Sequence, residues 1–184
     1  NLHAQRRADA SQSDLLLSYQ DKFYGWPGAY TGFATLNEVD DTQTTLLLVN
    51  HRAVIDNGWW EAGAAYRRLV DDYDFDRTTA ESGVPGSFEH ESRSAAIGLQ
   101  GVYRAAGVSW RYGAQISSDE LVRSTDLTSG DFNDRIYVSL TVVPSIDVAL
   151  DSGTLTLRAG ATLDYSNRDS NAVLPSGTEV NDQA

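Results

Sequence analysis

The sequence predicts an all-β fold: a meander of about eight antiparallel strands forming a segment of a transmembrane β-barrel. Three observations predict it. From Ile136 to Leu150 the positions Ile136, Val138, Leu140, Val142, Ile146, Val148 and Leu150 are aliphatic, while Ser139, Thr141, Ser145 and Asp147 between them are small or polar. That period of two marks a strand with one apolar and one wet face. After Asp151-Ser152-Gly153 the pattern restarts with inverted parity, Leu155, Leu157, Ala159, Ala161, Leu163 and Tyr165 against Thr156, Arg158, Gly160, Thr162 and Asp164, so the two runs make a hairpin. Both runs outlast the roughly five or six residues of a strand in a soluble sheet and reach the roughly nine to eleven that cross a bilayer. Thirdly, short turns alternate with long polar connections along the chain, the asymmetry of outer-membrane barrels.

The elements follow in order. Asn1 to Arg7 reads as the tail of a strand, and Ala8 to Gln12 as a polar turn. From Ser13 to Tyr24, Leu15, Leu17, Tyr19 and Phe23 alternate with Ser18, Gln20 and Lys22, with Leu16 and Asp21 breaking the pattern. A long connection, Gly25 to Asp41, precedes a strand over Thr42 to Arg52 whose Leu46-Leu47-Leu48-Val49 centre has no phase of its own. Asn57-Gly58 closes a short turn, and Trp59 to Asp76 sets Trp60, Ala62, Ala64 and Tyr66 against Glu61, Gly63 and Arg67. Beyond the connection Arg77 to Glu89, strand five opposes Ala95, Ile97, Leu99, Gly101 and Tyr103 to Ser94, Gly98, Gln100 and Arg104. An Ala105-Ala106-Gly107 turn leads to strand six, with Val108, Trp110, Tyr112, Ala114 and Ile116 against Ser109, Arg111, Gly113 and Gln115. Ser118 to Asn133 reads as an acidic connection, the opening hairpin supplies strands seven and eight, and Asn167 to Ala184 reads as a fourth loop.

Composition narrows the function. A net charge of -12 over 184 residues lacks the basic footprint that nucleic acid requires. No run of about eighteen apolar residues is present, which excludes a transmembrane helix and leaves a barrel open. With zero Cys there are neither disulfides nor thiolate metal sites. Asn1 to Arg7 has no apolar core and is not a signal peptide, so a chain bound for the outer membrane has lost its signal or is an interior piece.

Phe23-Tyr24-Gly25-Trp26-Pro27 with Tyr30-Thr31, Thr42-Gln43-Thr44-Thr45-Leu46-Leu47-Leu48 with Asn50-His51-Arg52, and Tyr66-Arg67-Arg68 with Asp72 resemble TonB-dependent outer-membrane receptors, most closely the branch similar to cobalamin and siderophore receptors. The likeness covers most of Ser13 to Asp76 by motif and the remainder by strand rhythm. It implies a barrel of about 22 strands around an N-terminal plug, energised through TonB–ExbB–ExbD. It further implies a place in the outer membrane of a Gram-negative bacterium, contact with lipid and lipopolysaccharide, and uptake of a scarce small-molecule nutrient, a metal chelate or corrinoid. Neither a plug nor a TonB box is found in these residues. The expectation is therefore that residues 1–184 are an interior part of the barrel, with plug and remaining strands absent and long loops extracellular.

Candidate site residues carry their plainer readings beside them. Trp26, Tyr30 and Phe33 lie in the first long loop and are candidates to cap a ligand at the barrel mouth, or to pack the loop on itself. Asp72, Asp74 and Asp76 share one face at strand spacing and offer hard oxygens to Ca²⁺ in the extracellular loops. The EF-hand pattern fails there, because Arg77 stands where Gly is needed and Gly83 where Glu is needed, and a solvated acidic rim is the preferred reading. Arg67, Arg111 and Arg158 fall on wet faces and are expected to face the lumen. Arg68 falls on the lipid side, tolerable only above the apolar band beside lipopolysaccharide phosphates. No covalent chemistry is expected: His3, His51 and His90 lie on different elements, and Ser152-Gly153 is a turn rather than a nucleophile elbow. The alternative is a non-transport β-protein, either a soluble acidic sheet or an adhesive or structural barrel, that binds partners through its loops.

Overall fold

A computed structural model describes residues 1–25, 38–74, 76, 87–125 and 134–169. Among these the fold is all-β: nine antiparallel strands in one open sheet, β1(Leu2–Ala8), β2(Ser11–Gly25), β3(Val39–Ile55), β4(Gly58–Asp74), β5(Ser87–Ala105), β6(Val108–Ser124), β7(Asp134–Leu150), β8(Gly153–Arg158) and β9(Ala161–Asp169). Each strand from β1 to β8 pairs with its neighbour in sequence, and β9 pairs β7 beside β8. The sheet is not closed, so β1 at one side and β8 with β9 at the other are edges.

β8 and β9 are one strand with a notch. Ser145 lies opposite Arg158 and Val142 opposite Ala161, an unchanged register across the gap. Pro144 sits in that gap, and its carbonyl accepts the amide of Ala159 at 3.3 Å. The reciprocal bond cannot form, because proline has no N–H. The eight rows expected from periodicity are therefore present, the last interrupted by one missing donor.

Strands run further than the hydropathy pattern suggests. β3 starts at Val39, β5 at Ser87, and β6 continues to Ser124, well into stretches that read as loops. Near these ends polar residues stand on both faces, which erases the alternation by which a strand is recognised. β6 absorbs one extra residue on the way, with the register shifting between Glu91 and Ser92.

The short turns are staggered in one direction. From the row Ser11–Ala53–Trp60, the next hairpin closes two residues further on, at Ile55–Gly58. From Gly58–Tyr103–Trp110 the next closes two further, at Ala105–Val108. From Val108–Ile146–Leu157 the last closes four further, at Leu150–Gly153. That is eight residues over six strand-to-strand steps. At about 3.4 Å per residue and about 4.8 Å between strands, a line through the turns tilts the strands by roughly 40° from its perpendicular. Barrel strands tilt by roughly 35–45°.

Two positions fix local geometry. Ala106 (φ 50) and Gly107 (φ 78) both occupy the left-handed region, as a two-residue type I′ hairpin turn requires. Gly101 lies opposite Tyr112, and a Cβ there would meet the Tyr112 Oη at 2.5 Å and the Trp59 carbonyl at 2.5 Å. The missing side chain leaves room for the end of the tyrosine ring. Gly101→Val is expected to destabilise the protein by about 1–3 kcal/mol through overpacking. Ala106→Asn, which tolerates the left-handed backbone, is expected to stabilise it by about 1 kcal/mol. Denaturant unfolding followed by tryptophan fluorescence measures both.

Candidate functional site

The register assigns every side chain to one of two faces. Starting from Leu140, cross-strand partners lead through Ala114, Leu99, Ala62 and His51 to Ser13 in one direction and to Leu163 in the other. The same face carries Leu15, Leu17, Leu47, Val49, Ile97, Ile116, the aliphatic residues at even positions of β7 from Ile136 to Leu150, and Leu155 and Leu157 of β8. It settles the run Leu46 to Val49: Leu47 and Val49 belong here with Leu17 and Leu15, while Leu46 and Leu48 face the other way with Ser18 and Leu16.

Among the described residues no second layer covers that aliphatic face. Of the 27 large hydrophobic residues exposed among the described residues, all but Tyr24, Leu48, Val54 and Phe88 lie on it, and Val102 is the sole buried apolar residue. Leu163 is 65% exposed and Ile97 63%. Aromatic residues border the band: Trp60, Tyr103 and Trp110 toward the short turns, Tyr19 and Tyr66 toward the opposite end. His51 joins the first group, its ring 5.1 Å from Trp60 and its Nδ1 2.7 Å from the Ser13 hydroxyl.

Past Tyr66 this face becomes charged. Arg68 donates from Nε and Nη2 to the two carboxylate oxygens of Glu91, at 2.8 and 3.0 Å, and Arg93 donates to the same Glu91 at 2.8 Å. Arg123 pairs with Glu89 next to them. Arg68 thus stands on the aliphatic side, as parity requires, and a carboxylate from the neighbouring strand balances its charge. The Arg68 guanidinium, aided by Arg93, holds the Glu91 carboxyl down at about 2 against the opposing effect of burial.

The other face is polar and laced across strands. Asp14 accepts from Gln5 and Gln12, both at 2.7 Å, Glu61 from Asn50 at 2.9 Å, and Asp164 from Tyr137 at 2.9 Å. Arg67, Arg111 and Arg158 all belong to this face by register, opposite Leu46, Val143 and Ser145. A shallow trough of about 390 Å³ is floored by Gly63, Gly98 and Gly113 and rimmed by Asn50, Glu61, Gln100 and Gln115.

The candidate acids stand at the far end of β4. Asp72 and Asp74 lie on the aliphatic side beyond the Arg68 row, and Asp76 follows the end of β4. Burial, then Asp74, Glu89 and Asp41, push the Asp72 carboxyl up. Among the described residues no three His, Asp or Glu side chains are grouped to hold a metal ion. Trp26, Tyr30 and Phe33 lie outside the described residues. The three histidines stay apart: His3 is 3.6 Å from Asp14, the His51 ring lies tilted against Trp60, and His90 pairs with Ser124. Sequence reading missed Glu91 as the partner of Arg68, because 23 residues separate them. Known proteins offer no further guide: no family model, curated protein or solved structure matches this chain.

Glu91 gives a signed pH dependence. Its folded carboxyl titrates near 2 against an ordinary value of 4.5, so its contribution to stability is complete above 4.5 and is lost as pH falls toward 2. Glu91→Gln is expected to remove that part of the acid sensitivity, seen as a flatter plot of thermal midpoint against pH over this window.

Proposed function

We propose that this chain is a stretch of outer-membrane β-barrel wall, its aliphatic face toward lipid and its polar face toward a lumen. One observation carries the reading: a hydrogen-bonded sheet with nearly all its exposed large hydrophobic residues on one face and no second layer among the described residues. A single-layer sheet in water needs something to cover that face. Lipid does so, and the backbone groups within the sheet are already paired, as a bilayer demands. The flanking aromatic residues and the roughly 40° stagger of the turns support the same setting.

The motif resemblance takes the proposal one step further, to an interior part of a TonB-dependent receptor of about 22 strands, with a plug outside this stretch. Its cargo would be a metal chelate or corrinoid. Arg67, Arg111 and Arg158 would line the lumen side, the Arg68–Glu91–Arg93 cluster would lie at headgroup level, and the two open edges would pair with further strands. The chain would contribute wall and loop contacts, with no covalent step.

Adjacent tryptophans on opposite faces provide the test. Variants retaining only Trp59, only Trp60 or only Trp110 are reconstituted in vesicles whose lipid chains carry a bromine quencher. Trp60 and Trp110 are expected to be quenched strongly and Trp59 weakly. Equal quenching at all three, or a monodisperse monomer without detergent, overturns the wall reading. Uptake of labelled ferric chelates and corrinoids by cells with and without the intact gene tests the cargo separately.

A further inference from the structure

A band of polar side chains crosses five strands on the polar face, above the level of Tyr66. Tyr24 on β2 donates its hydroxyl to Asp40 Oδ2 on β3 at 2.7 Å. His90 on β5 is the register partner of Asp71 on β4 and of Ser124 on β6, with its Nδ1 2.8 Å from the Ser124 Oγ. Asp40 and Asp71 complete the band as diagonal neighbours, Asp40 opposite Tyr73 and Asp71 opposite Thr42. Their carboxyl groups stand within hydrogen-bonding reach of each other.

This contact joins two acceptors. Asp40 is 8% exposed, and Asp40 and Asp71 each leave Oδ1 buried without a donor. Two ionised carboxylates in that position repel, and each buried oxygen lacks a hydrogen bond. A single proton between them removes the repulsion and supplies the missing donor. We propose that Asp40 and Asp71 form a proton-binding pair, a carboxylic acid hydrogen-bonded to a carboxylate, that latches the ends of β3 and β4 together.

The surroundings favour the proton. Burial, then the Asp40 carboxyl, push Asp71 above the ordinary carboxylate value, with Asp72 from the opposite face adding repulsion and His90 opposing it. Tyr24 and exposed Lys22 face the pair from β2, buried Glu38 precedes β3, and Tyr73 lies alongside on β4. A group whose folded form holds its proton more tightly than the unfolded chain stabilises the fold fully at low pH, and that contribution is lost as pH rises through its titration. The latch therefore loosens as pH rises, opposite in sign to the Glu91 cluster.

Infrared spectroscopy of the protein across pH reads the shared proton directly. The wild type is expected to keep a carboxylic-acid C=O band above the ordinary carboxylate range, and both Asp71→Asn and Asp40→Asn to lose it. Asp71→Asn supplies a permanent amide donor to Asp40, so its thermal midpoint is expected to stay level where that of the wild type declines. Absence of the band in the wild type, or its survival in both variants, overturns the proposal. A midpoint raised by added Ca²⁺ or Mg²⁺ with no such band overturns it in favour of a bound cation. None of these readouts depends on the wall reading, so either proposal stands if the other fails.

Discussion

The structure depends on one hydrogen-bonded register carried across the whole sheet. Side chains in a strand alternate with period two, so a slip of one residue at any ladder would turn every later aliphatic residue to the wrong face. Here partner after partner keeps Leu15, Val49, Ala64, Ile97, Ile116 and Val138 on the same side. The register survives even the missing donor of Pro144, because a strand can lose one bond while the rows on either side hold it in place.

With that register in place, the apolar face has no second layer among the described residues. A water-soluble sheet buries its apolar face against a second layer, and hydrophobic burial drives folding. Among the described residues one apolar side chain is buried, and the aliphatic face stays exposed. Cohesion within the sheet comes instead from the backbone ladders and from cross-strand polar pairs such as Asn50–Glu61 and Tyr137–Asp164. In a medium that cannot hydrogen-bond, these ladders gain value, since the alternative is an unpaired amide in hydrocarbon.

The charged groups are sorted by height along the strands. On the aliphatic face the charges of β4 and β5 begin at Arg68 and Arg93, beyond Tyr66 and Ala95. There they satisfy one another: two arginines share Glu91, whose carboxylate is nearly buried. On the polar face at a similar height lie Asp40 and Asp71, carboxyl against carboxyl. The same end of the sheet therefore holds one cluster that is tightest when deprotonated and one that is tightest when it keeps a proton.

The sequence by itself determined the strand class, the number of rows and the two faces of the hairpin from Ile136 to Tyr165, because alternation is local and each residue carries its own polarity. It placed Arg68 on the aliphatic side by the same parity, and Arg67, Arg111 and Arg158 on the other. Only the tertiary structure decided how far the strands run past Ser118 and before Glu89, where polar residues on both faces leave no alternation to read. Pairing with β2 and β4 gave Leu46 to Val49 their phase. Contacts between strands, which no local pattern encodes, brought Glu91 to Arg68 and Asp40 to Asp71. Polarity is a property of each residue, whereas partnership belongs to the register.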